Sequence, residues 1–113
     1  MKPVVIIAPR FVKALSVIID IFAITLWPFI ISREEMSEDV LTHETIHIAQ
    51  QKELLVLFFY LLYGWDYLIG LVKYRDKEKA YYQIRFEQEA YDNMFNKDYL
   101  KNRKLYSWRK YKV

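Results

Sequence analysis

Cysteine is absent from this chain, which excludes disulfides, thiolate metal sites and thiol nucleophiles. Glycine occurs twice and proline three times in 113 residues, too few for a loop-rich, collagenous or low-complexity protein. Histidine also occurs only twice. What fills the chain instead is apolar: 54% of residues are hydrophobic and 18% aromatic, a globular or membrane-associated composition and not a disordered one. At this length a single domain, residues 1–113, is expected, burying roughly two-thirds of its unfolded surface. There is no internal repeat.

The formal charge of +3 is unevenly spread. From Lys97 to Val113 seven bases face one acid, Asp98, with Tyr99, Tyr106, Trp108 and Tyr111 set between the charges. The remainder carries ten bases and thirteen acids. A basic aromatic tail at 97–113 is expected to form a solvated C-terminal helix with snorkelling Lys and Arg, and contact with anionic lipid or nucleic acid is the alternative.

The N-terminus does not read as a cleaved signal peptide. The run Val4 to Ala8 is broken by Pro9, Arg10 and Lys13, and no small-x-small site follows, so a cytoplasmic location is expected. Two longer apolar stretches remain. Ala14 to Ile31 contains Asp20 and Pro28 and is rich in β-branched residues, which favours strands. Leu54 to Val72 has the length of a membrane span. Its Tyr and Trp residues sit mid-segment and not at two interfaces, which favours a buried or interfacial helix, with a membrane span as the alternative.

Strands are expected at Val4 to Ala8, Ser16 to Ile19 and Ile21 to Ile31, with Pro28 placing part of the last at a sheet edge, where an extended peptide could add as a further strand. Ser37 is a good N-cap and is followed by Glu38 and Asp39, acids suited to the positive end of a helix. The helix it opens should run to about Tyr63, bend or end at Gly64, and resume from Trp65 to Tyr74. Arg75 to Lys79 reads as a solvated connection. A further helix is expected from Phe86 to Asn96, and Asp98 could cap a last basic one. The fold class is therefore α+β, a strand-rich N-terminal region packed on a helical bundle.

Both histidines lie in one pentapeptide, His43-Glu44-Thr45-Ile46-His47. Residues four apart share a helix face, so the two imidazoles can converge on one metal ion, and Glu44 beside them can take a proton from a water at that ion. A tetrahedral catalytic zinc needs three protein ligands. With no other histidine and no cysteine, the third must be a carboxylate or, less favourably, a tyrosine. The residues after His47 lack the glycine and third histidine of metzincins. Asp66, Glu87 and Glu89 are the candidates, since Glu38 and Glu53 lie two turns from the nearer histidine on the same helix.

The HExxH segment together with Phe86-Glu87-Gln88-Glu89-Ala90-Tyr91 resembles the gluzincin metallopeptidases, and in particular a group of small bacterial HExxH proteins. Their pattern is HExxH on one helix and a glutamate ligand on a later one, often in an ExEA context. The resemblance implies Zn2+ held by His43, His47 and Glu87, with Glu44 as the general base. Tyr91 stands where many gluzincins keep an aspartate that hydrogen-bonds a ligand histidine. The implied activity is hydrolysis of peptide bonds in a peptide or protein substrate. Nucleic acid is not an expected partner, because a lone carboxylate ligand lacks the paired-metal acids such chemistry uses. Alternatives are a non-catalytic zinc protein and a peripheral membrane component using Leu54 to Val72 and the basic tail. Tyr82 and Tyr91, flanking the Glu87 segment, are candidate donors to a developing oxyanion.

Overall fold

A computed structural model of the chain describes residues 4–11, 23–32 and 35–113. It is a mixed α+β structure with one small sheet and mostly helix. β1 (Val4–Ile7) runs parallel to β3 (Phe29–Ser32), and β2 (Ala23–Leu26) pairs antiparallel with β3, giving the order β1-β3-β2. The segment expected as one strand from Ile21 to Ile31 is therefore a hairpin, reversed at Trp27 and Pro28. Proline in that turn removes no ladder bond, which resolves its awkwardness in a strand. The strand expected at Ser16 to Ile19 lies outside the described residues.

Ser37 does cap the long helix α1 (Glu38–Tyr74), its hydroxyl accepting from the Val40 amide. The bend expected at Gly64 is instead at Leu55, where φ is 53° and ψ 132°, well outside helical values. The consequence is large. In a straight helix His47 and Phe59, twelve residues apart, would be separated by about 18 Å. Their ring centroids here are 6.0 Å apart. The second half of α1 thus folds back along the first. Leu55 itself is exposed and gains nothing from the strained backbone. Contacts on either side hold the reversal: Gln51 before it and Tyr60 after it both donate to the Thr25 carbonyl, Gln51 at 2.7 Å.

Arg75 to Lys79 is not a simple connection. Arg75 ends α1 in the left-handed conformation, and the Asp76 carboxylate accepts from the Glu78 and Lys79 amides to start α2 (Lys77–Tyr82). α3 (Arg85–Asn93) begins and ends slightly before the expected Phe86 to Asn96, and its own N-cap residue, Ile84, offers no side-chain acceptor. Asp66 supplies one from α1, accepting from the Arg85 amide at 3.2 Å and from the Arg85 guanidinium in two bonds of 2.9 Å. That tie sets where α3 starts, and so where Glu87 points.

The tail is not one basic helix. α4 (Tyr99–Asn102) is a single turn, Asp98 makes no side-chain cap to it, and a 3₁₀ turn follows at Ser107–Lys110. The Arg103 side chain is buried between Glu53 and Glu89, and Trp108 enters the core beside Phe59, Ile84 and Phe86. Burying Arg103 is tolerable because its guanidinium meets two carboxylates at 2.6–3.1 Å.

The two glycines have opposite roles. A Cβ on Gly70 would sit 2.9 Å from the Ala80 Cα, because α1 and α2 touch there, whereas a Cβ on Gly64 would meet nothing within 4 Å. Gly64→Ala should therefore stabilise the fold by about 1 kcal/mol through helix propensity alone. Gly70→Ala should destabilise it by about 1–3 kcal/mol through overpacking. Urea unfolding of the two variants beside wild type checks the sign of each.

Candidate metal centre

His43 and His47 stand one helical turn apart on the first half of α1, and Glu87 comes from the first turn of α3. The Nε2 atoms of both histidines lie 3.0 Å from Glu87 Oε1, and the two ring centroids are 4.9 Å apart. All three side chains are buried. One potential ligand atom from each lies within 4.8 Å of the others, so the group could hold a metal ion. Nitrogen and oxygen ligands about 2.0–2.1 Å from a tetrahedral ion lie about 3.3 Å from one another, close to the separations observed.

The chemistry of the donors fits a cation. The Gln50 amide donates through Nε2 to the Phe86 carbonyl and to Glu89 Oε1, which turns its own oxygen toward His47 Nδ1 at 2.7 Å. His47 must donate there, so Nδ1 carries the proton and Nε2 presents a lone pair to the Glu87 oxygen. A lone pair facing a carboxylate oxygen is repulsive unless a proton or a metal ion lies between them. Glu87 is itself oriented by Tyr63, whose hydroxyl donates to Oε2 at 2.5 Å and leaves Oε1 for the histidines. Burial, and then the charge of Glu87, push the Tyr63 phenol well above its ordinary range, so it remains a donor.

In place of an ion, a proton on His47 would serve the same bridging role. Burial alone would lower the His47 imidazolium, but attraction and hydrogen bonding to Glu87 outweigh it and push His47 up to about 9. Burial would likewise raise Glu87. The charge of His47 and the bonds from both rings overcome this, and the carboxyl is held well below the usual carboxylate range.

The remaining candidates fall elsewhere. Asp66 is engaged by Arg85, and Glu89 by Arg103, Tyr99 and Gln50. Glu89 is held below its ordinary range because, although burial raises it, these donors favour the anion. It belongs to the support behind His47 and not to the ligand cluster. Glu44 is half-buried and accepts a 2.5 Å bond from the Thr25 hydroxyl on β2, so the sheet orients the carboxylate beside the two histidines. Tyr91 packs its ring edge-on to His43, with centroids 4.3 Å apart, and its hydroxyl meets Tyr81. His43 Nδ1 is buried without a hydrogen-bond partner among the described residues, so on that side of the imidazole the Tyr91 ring packs where a hydrogen-bonding carboxylate could stand. Tyr82 is half exposed and packs its ring, tilted by 55°, against Tyr91.

Sequence reasoning missed Gln50, Tyr63 and Thr25. Gln50 was open to inference, being one turn beyond His47 on the same face. Tyr63 and Thr25 carry no such signal, because their roles exist only once α1 reverses and β2 packs on it. The edge of β2 is also less open than expected. Gln51 accepts from the Trp27 amide at 2.6 Å while donating to the Thr25 carbonyl, filling that stretch as a neighbouring strand would.

No protein-family model, curated protein or solved structure matches the chain.

His43→Ala, His47→Ala and Glu87→Ala should each abolish equimolar metal uptake. Glu89→Ala should keep it while losing about 3 kcal/mol of stability, because Arg103 would remain buried with Glu53 alone. Elemental analysis paired with denaturant unfolding separates these outcomes. Since His47 is protonated below about 9 and must lose that proton to bind metal, affinity should rise with pH up to that value, by about tenfold per unit for one displaced proton. Calorimetry in buffers of different ionisation enthalpy counts the protons released.

Proposed function

We propose that this chain is a zinc-dependent hydrolase of peptide bonds, built around a gluzincin-type site on the first half of α1. The observation that carries this reading is the meeting of three lone pairs, from His43, His47 and Glu87, beside an acid that is not a ligand, Glu44. A structural site commonly takes four protein ligands, whereas a catalytic one keeps a position free. Three converging ligands match the second kind.

Zinc held there would acidify a water and polarise a carbonyl at neutral pH. The remaining work belongs to the chain. Glu44 accepts the proton of the attacking water and returns it to the departing amine. The Thr25 hydroxyl fixes one Glu44 oxygen, so the other is presented in a constant direction. Gln50 keeps His47 in the tautomer that leaves Nε2 unprotonated, and Tyr63 does the same orienting work on Glu87. These supports matter because a ligand held in the wrong rotamer or tautomer weakens metal binding by about 10–100-fold.

The tight burial of the ligand cluster favours a second reading, a zinc site that only stabilises the fold. Glu44→Gln decides between the two. As a hydrolase, the variant should bind one equivalent of zinc as wild type does and cleave a peptide library about 10²–10⁴-fold more slowly. Wild type that binds zinc, melts lower with chelator and cleaves no peptide would leave the stabilising role alone.

A further inference from the structure

The reversal at Leu55 leaves the second half of α1 covered on one side only. Phe59, Tyr63, Asp66 and Gly70 face inward. On the other side Leu57, Leu61, Trp65, Leu68 and Val72 recur at spacings of four and three, each between 57% and 80% exposed. Such spacing makes a single stripe, here about 22 Å long. Between Val56 and Val72 the only charge is Asp66, on the buried face and paired with Arg85.

The end of the stripe is strongly basic. Lys73, Arg75, Lys77 and Lys79 follow it in sequence, and the tail brings Arg109, Lys110 and Lys112 to the same region, where Lys73 donates to the Val113 carbonyl. Trp65 and Ile69 share a shallow hollow with Arg109 and Lys112. All seven bases are exposed, against three nearby exposed acids, Asp76, Glu78 and Asp92, the last beside Tyr111.

We propose that this face docks on an anionic lipid bilayer, the apolar stripe lying in the interface and the basic end among the headgroups. An apolar helix face bordered by Lys and Arg, with an amphipathic Trp between them, is the pattern that binds at the boundary of headgroups and acyl chains. By length and composition α1 could also cross a membrane, with only 17% of its most apolar window buried. Lying on the surface is the arrangement the fold allows. Crossing would strip Phe59 and Tyr63 from the core and carry the Asp66–Arg85 pair into hydrocarbon. A second copy is the less suitable occupant, because its own stripe offers no exposed acid to meet the basic end.

The proposal stands apart from the hydrolase reading and is tested without activity. Wild type and His43→Ala, the latter lacking a metal ligand, should both float with vesicles of phosphatidylcholine and phosphatidylserine and not with phosphatidylcholine alone. Leu61→Glu with Leu68→Glu replaces exposed side chains, so folding and zinc content should persist while flotation is lost. Arg109→Gln, Lys110→Gln and Lys112→Gln together should weaken vesicle binding by about tenfold or more, as high salt should. Equal flotation on neutral vesicles would overturn the proposal. So would unchanged flotation of the Leu61→Glu, Leu68→Glu protein, or no flotation of wild type with a dimer that those substitutions dissolve.

Discussion

Everything in this molecule that bears on chemistry depends on the reversal of α1 at Leu55. A helix running straight from Glu38 to Tyr74 would carry its aromatic half away from the two histidines. Folded back, the same residues bring Phe59 against His47 and the Tyr63 hydroxyl to Glu87. The strained backbone at Leu55 is offset by what it makes possible, a core assembled from both halves of one helix and closed by Phe86 and Trp108. It also divides the aromatic half into a packed side and an open one.

Glu87 is the second centre of organisation. One carboxylate meets three side chains, two imidazole nitrogens at Oε1 and a donating phenol at Oε2, from both halves of α1. Its helix is anchored from outside by Asp66, so a buried acid that is not a ligand positions the acid that meets the histidines. Glu89, on the neighbouring face, ties the same helix to Arg103 and, through Gln50, to His47. Three acids expected to compete for one role thus divide three roles between them. The low polarity of the surroundings makes each pairing necessary, since an uncompensated charge there would be costly.

Much of this was legible in residue order. The HExxH spacing places both imidazoles on one face because a helix repeats every 3.6 residues, and the Ser37 cap with its following acids marks the helix start. The demand for a carboxylate followed from the lack of other histidines and of cysteine. The errors share a physical cause. Gly64 looked like the natural place to bend because glycine is permissive, yet tertiary contacts of Gln51 and Tyr60 with β2 impose the bend on an ordinary leucine. Arg103 and Trp108 looked like solvated tail because nothing local distinguishes a charge that will meet Glu53 and Glu89 from one that will meet water.

By itself, then, the sequence determined the helical face that carries the histidines, the acid beside them and the class of residue that had to join them, because these follow from local periodicity and from composition. The tertiary structure alone decided which acid joins, which tautomer His47 adopts, where the chain turns back and which apolar side chains stay uncovered. Those depend on groups more than 15 residues apart in sequence meeting in a dry interior, and no local pattern records such meetings.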